Sequence, residues 1–133
     1  MDIIGIDSGS STVKIVELNE NKQVVHKMVL KKMPVMQAVD VFINKKKIDK
    51  ENIEKYILTG VGKDEVKNKI YEKPVIKVNE FTAIGTGGLS LTKQKKALVV
   101  SIGTGTAFVK ANRNKHTHIG GTGVGRRDNT KFM

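Results

Sequence analysis

Asp7 ends a short apolar run, Ile3-Ile4-Gly5-Ile6, and a cluster of small residues follows it: Ser8, Gly9, Ser10, Ser11 and Thr12. A second alternating run begins there and carries Lys14. Strand, tight turn, strand is the direct reading. Glycine and small hydroxyl residues let backbone N–H groups approach phosphate oxygens closely. A carboxylate at the strand end can hold hydrated Mg²⁺, which prefers carboxylate and water ligands. Lys14 would offset negative charge. The same residues also make an ordinary hairpin, and one such turn does not separate the two readings.

The pattern recurs. Strand, Gly/Ser/Thr turn, strand appears again at Leu98 to Val109, with Gly103, Thr104, Gly105 and Thr106 at the tip. Two such tips at the ends of neighbouring strands could face the same phosphate groups, which is more specific than either alone. A third glycine-rich stretch, Gly120 to Gly125, is a weak match for the dinucleotide-binding fingerprint, and no strand-helix unit follows it. The GxxxxGK[ST] of a P-loop does not occur.

These turns need elements to hold them. After the first turn, Thr12 to Leu18 alternates as a strand, Asn19 to Lys22 turns, and Gln23 to Leu30 returns as a third strand. Pro34 opens a helix, with Val35, Ala38, Val39, Phe42 and Ile43 at helical spacing. Lys45 to Lys47 reads as its solvated end, favoured by the helix dipole. Asp49 to Glu54 is a polar connector, Lys55 to Thr59 a strand, Gly60 to Gly62 a turn, and Asp64 to Ile70 a short helix. Pro74 to Val78 is a strand, and Asn79 caps a small-residue helix reaching Leu91. Lys96 to Ile102 is a buried strand, Ala107 to Ala111 another, and Thr117 to Ile119 a short one. The order indicates an α/β fold with a mixed sheet.

Composition bounds the function. One domain is the prior for 133 residues. The absence of cysteine excludes disulfides, Fe–S ligation and thiol nucleophiles, and suits a reducing interior. No apolar run reaches the length of a membrane span, Asp2 and Asp7 interrupt any signal peptide, and a cytoplasmic location is expected. The net charge of +11 could attract a polyanion. Its lysines are spread out, however, without the interleaved aromatics that stack bases, so a solvated surface is the simpler account and no nucleic-acid partner is expected.

Four segments in this order and spacing, IGIDSGSSTVKIV, VNEFTAIGTGGL, VVSIGTGTAFV and HIGGTGVG, resemble the N-terminal half of the type II pantothenate kinases. That family belongs to the actin, hexokinase and Hsp70-like ATPase superfamily. The likeness covers residues 2–125. It implies an actin-like ATPase (ribonuclease H-like) domain over 1–111, the start of a Gly-rich loop region at 112–125 leading to a second domain that is incomplete here, and an aberrant or disordered tail at 126–133. After Gly125 the chain runs Arg126-Arg127-Asp128 where the family continues its glycine loop, so a truncated product is expected, inactive or weak by itself.

The resemblance also implies roles. ATP and Mg²⁺ are the cofactors, and pantothenate is the substrate. Asp7 would hold Mg²⁺ through water. Ser8, Gly9, Ser10, Ser11, Thr12, Lys14, Gly103, Gly105, Gly121, Thr122 and Gly123 would meet the ATP phosphates. Glu80 would be the catalytic carboxylate and would touch pantothenate together with Thr104, Thr106 and His118. Read alone, Glu80 is also an acidic first-turn residue that complements a helix dipole. His118 stands where some members carry arginine, and Ser101 where the superfamily commonly has aspartate. The family's dimers imply a homodimer. Two alternatives stay open: a superfamily ATPase that activates a dehydratase or reductase, and a non-catalytic module that binds phosphate or a partner. The activators typically hold an Fe–S cluster through cysteines, and this chain has none.

Overall fold

Period-two alternation builds the start of the chain. β1 (Asp2–Ser8) sends Ile4, Ile6 and Ser8 to one face and Ile3, Gly5 and Asp7 to the other. β2 (Thr12–Leu18) runs back beside it, and β3 (Val24–Lys31) completes an antiparallel meander. The computed structural model describes residues 1–93, 95–102, 106–112 and 115–122.

α1 (Val35–Lys46) buries Val35, Ala38, Val39, Phe42 and Ile43, the stripe expected from helical spacing, and lies against β2 and β3. Lys45 and Lys46 occupy its last turn, and Lys47 ends it in the left-handed conformation. A short 3₁₀ turn (Lys50–Asn52) leads into β4 (Ile53–Gly60), which pairs parallel with β1. β5 (Lys69–Ile70) and β6 (Lys73–Lys77) follow, and β6 pairs parallel with β4. The six strands form one mixed sheet in the order β3-β2-β1-β4-β6-β5. Ile4, Ile6, Val13, Ile15, Tyr56 and Leu58 of this sheet pack with the α1 stripe in a single core.

The helix expected over Asp64 to Ile70 is not formed. Lys63–Glu65 makes one 3₁₀ turn, Val66 is already extended, and Lys69–Ile70 is a strand. A segment this short cannot recover the cost of helix nucleation by itself. Its apolar residues gain more by inserting into the core one at a time: Val66 and Ile70 are both buried there.

A second compact unit opens at Asn79, the first being Met1–Val78. α2 (Glu80–Thr92) starts at Asn79, whose side chain accepts a hydrogen bond from the Phe81 N–H at 2.8 Å. β7 (Lys96–Ile102), β8 (Thr106–Asn112) and β9 (Lys115–Thr122) form an antiparallel three-stranded sheet, and α2 packs on it. β9 is longer than the short strand expected at Thr117 to Ile119. It continues through Gly120, Gly121 and Thr122, which face Phe108, Ala107 and Thr106. Glycine keeps both backbone hydrogen-bonding groups, so a ladder can extend through it when a partner strand lies alongside. The β1–β2 and β7–β8 hairpins also belong to different sheets, so their strands are not hydrogen-bonded neighbours. No helix among the described residues is long and apolar enough to cross a membrane.

Glu17 is a carboxylate on the core face, only 4% exposed. Burial pushes its pKa above 4.5; a 2.7 Å bond with His26 Nδ1 pulls it down, and a bond with Asp2 pushes it up again. A carboxyl with a raised folded pKa binds its proton more tightly in the fold than in the unfolded chain. Its contribution to stability therefore falls as pH rises through the interval above 4.5. Urea unfolding from acidic to neutral pH is expected to show that decline in the parent protein. The Glu17→Gln variant should lose it, gaining relative stability as pH rises.

Candidate phosphate-binding site

The parallel pairing of β1 with β4 puts Asp7 beside Thr59 and Ser8 beside Gly60. From this point β1 continues into β2 on one side, while β4 flanks its other side. The carboxyl ends of parallel strands at such a switch in strand order are where α/β sheets commonly receive ligands. The turn that follows β1 sits there. Gly9 N–H donates to the Thr12 carbonyl at 2.9 Å and closes it, and a Cβ on Gly9 would lie 3.2 Å from that oxygen. Ser10 and Ser11 are exposed at the tip, with Gly9 and Thr12 half-buried.

Asp7 and Lys14 are cross-strand partners on the sheet face opposite α1. Lys31 lies beside Thr12 in the register, which brings further positive charge to the turn. Among the described residues no three His, Cys, Asp or Glu side chains gather into a metal cage. One carboxylate next to a turn of small residues, tight at Gly9, fits a hydrated Mg²⁺ that would take its remaining ligands from phosphate and water.

Ser8 is placed differently from its neighbours. It is fully buried beneath the turn, and its Oγ accepts a 2.7 Å bond from Lys32 Nζ. Its carbonyl accepts from Gly62 N–H at 3.1 Å. Gly60, Gly62, Lys32 and Glu65 therefore belong to this site, and sequence reading missed them. Gly60 carried a usable signal, a glycine at a strand end. The two charged residues carried none, being two of many in a lysine-rich chain.

In the second unit Glu80 is the first residue of α2 and half-buried. The helix is seated on β9 through His116. A Cβ on Gly85 would collide with His116 Nδ1, and Thr86 Oγ1 lies 3.2 Å from His116 Nε2. His116 Nδ1 itself is buried without a partner among the described residues. The small residues of α2 thus permit close approach of a ring that sets the helix on its sheet. Thr106 opens β8 and stands opposite Thr122, while Gly121 faces Ala107 and His118 faces Val109. Gly103, Thr104, Gly105 and Gly123 lie outside the described residues.

A model of the BadF/BadG/BcrA/BcrD ATPase family matches residues 4–132. The chain belongs to this family. Among curated relatives, the type II pantothenate kinase of Bacillus thuringiensis subsp. konkukian (strain 97-27) is 30% identical over 130 residues, covering 92% of this chain and 44% of the relative. That of Bacillus cereus (strain AH820) is 28% identical over 128 residues with the same coverage, so the chain spans less than half of either. Solved structures share this chain's fold. The activator of 2-hydroxyisocaproyl-CoA dehydratase from Clostridium difficile, with bound ADPNP, aligns with a TM-score of 0.66 at 17% identity, over 94% of this chain and 48% of its own. A ROK family glucokinase from Streptomyces griseus, in complex with glucose and AMPPNP, aligns with a TM-score of 0.67 at 16% identity, over 95% of this chain and 49% of its own. The mixed sheet with helices is thus an actin-like ATPase fold, present as a partial domain spanning about half of these homologues.

Proposed function

We propose that this chain is the phosphate-facing part of an ATP-dependent kinase of pantothenate. The reaction forms 4'-phosphopantothenate, the first step of coenzyme A biosynthesis. The observation that carries the reading is the match to type II pantothenate kinases along 92% of the chain, at 30% identity. In this reading the N–H groups and hydroxyls of residues 10–12 donate to ATP phosphate oxygens, Gly9 lets the phosphates come close to the turn, and Lys14 balances their charge. The Gly103 to Thr106 tip and the Gly121 to Gly123 stretch are further phosphate-binding segments in this reading. Asp7 holds hydrated Mg²⁺, which would neutralise charge on the phosphates being separated. Thr104, Thr106 and His118 contact pantothenate.

Glu80 takes the proton from the primary hydroxyl of pantothenate as that oxygen attacks the γ-phosphorus. The bond to the β,γ-bridging oxygen breaks and ADP leaves. Phosphoryl transfer asks the protein mainly for positioning and charge stabilisation, and a glycine-bearing turn with one carboxylate supplies both.

The test is a coupled ADP-release assay with Mg-ATP on this chain and on the full product of its gene. Pantothenate, glucose, N-acetylmannosamine and no acceptor are compared, and the product is identified by mass. Release that requires pantothenate and yields its phosphomonoester is expected. Release that needs a sugar, or that proceeds equally without acceptor, would overturn the assignment, the latter in favour of an activator-type ATPase.

A further inference from the structure

We propose that Lys32 and Glu65 are positioning residues that brace the β1–β2 turn from beneath and so set its geometry for phosphate. The proposal rests on the phosphate reading of that turn and adds two residues which that reading does not use. Lys32 holds the turn at both ends. Its backbone N–H donates to the Ser11 carbonyl at 3.1 Å, and its Nζ donates to the buried Ser8 Oγ at 2.7 Å.

Glu65 fixes Lys32 in turn. Its Oε2 lies 3.9 Å from Lys32 Nζ, and its Oε1 accepts the Val35 N–H at 3.1 Å. That second bond caps α1, whose own N-cap residue, Pro34, offers no side-chain acceptor. Glu65 is thus tethered to the start of a helix packed into the core. The loop that carries it is pressed against the turn. Gly62 N–H reaches the Ser8 carbonyl at 3.1 Å, and a Cβ on Gly62 would strike Ser8 Oγ and lie 2.5 Å from Glu65 Oε2.

The arrangement makes physical sense as preorganisation. Backbone N–H donors stabilise an anion best when their directions are settled before it arrives. The Ser8 hydroxyl faces into the core, on the side away from Asp7. A lysine reaching it from below restrains the turn without occupying the face where phosphate would bind. An ion pair as exposed as Lys32–Glu65 contributes little to global stability. Losing that ion pair alone should leave the unfolding midpoint unchanged, whereas losing the Lys32 donor also strips the buried Ser8 hydroxyl of its bond, so the brace is read in the turn itself.

Lys32→Met keeps the aliphatic stem and removes the donor. In the nucleotide-free protein, amide hydrogen exchange by NMR should show Gly9 N–H exchanging faster in Lys32→Met than in the parent, with Ile15 N–H unchanged. Lys32→Arg should restore part of the protection. Titration with Mg-ADP should then show affinity about tenfold weaker in Lys32→Met, the loss of one charged hydrogen bond's worth of organisation. Glu65→Gln should shift both readouts in the same direction by less, since its side-chain carbonyl can still accept from Val35. Unchanged Gly9 exchange would overturn the brace whatever the nucleotide does, and so would faster exchange with unchanged affinity. If neither this chain nor the full product of its gene binds Mg-ADP while Gly9 exchange responds to Lys32→Met, the brace stands and the kinase reading fails.

Discussion

Gly60→Ala is expected to destabilise the protein by about 3 kcal/mol or more and to displace the end of β1. Gly60 has φ of +95°, where an L side chain is strained. A Cβ there would run into the Ser8 carbonyl oxygen and would lie 2.8 Å from both Asp7 Oδ1 and the Ser8 carbonyl carbon. The two Ser8 atoms are backbone of β1, held by paired ladders on both sides, so they cannot swing away as the Asp7 side chain could. Backbone strain of about 1–3 kcal/mol and a similar overpacking cost therefore add. Urea unfolding measures the loss. Gly87→Ala is the control, because nothing among the described residues lies within 4 Å of a Cβ at that α2 position. It should be neutral or stabilise by up to about 1 kcal/mol through helix propensity. Equal effects at the two sites would show that Gly60 is not pressed against Asp7 and Ser8.

Glu80→Gln tests the chemistry. If Glu80 accepts the hydroxyl proton, its amide replacement should lower kcat for pantothenate phosphorylation by about 10²–10⁴-fold, the usual contribution of a positioned general base. Glutamine keeps the size and first-turn position of the residue, and Asn79 still caps the helix. Stability should change by no more than about 1 kcal/mol, the loss of a charge near the helix N-terminus. Nucleotide affinity should stay the same, because the proton acceptor acts on the other substrate. Steady-state kinetics with both substrates varied separates these effects. A Glu80→Gln protein that still turns over near the parent rate would leave Glu80 with a capping-type role only.

The two variants probe information of different kinds. Much of the fold is legible along the chain. The stripe Val35, Ala38, Val39, Phe42 and Ile43 is the buried face of α1, because 3.6-residue spacing leaves little choice of face. Thr12 to Leu18 is β2, and Asn79 caps α2. Where the local pattern was weak, the reading failed. Val66 and Ile70 are four apart, which suggests a helix, but the core takes them from an extended segment. The three residues after Ile119 look like a loop for their glycine content, yet they complete a ladder because β8 lies alongside.

The candidate site divides the same way. The sequence alone picks out Asp7, the small residues after it, Lys14 and the capped Glu80, because each stands within a few residues of a strand end or helix start whose signal is local. Tertiary structure alone decides that Lys32, 24 positions away, donates to the Ser8 hydroxyl. It likewise brings Gly60 and Gly62 under the turn. The physical reason is the parallel pairing of β1 with β4. That contact joins residues too distant in sequence for any periodicity to record, and burial then leaves the Ser8 hydroxyl to be satisfied by Lys32.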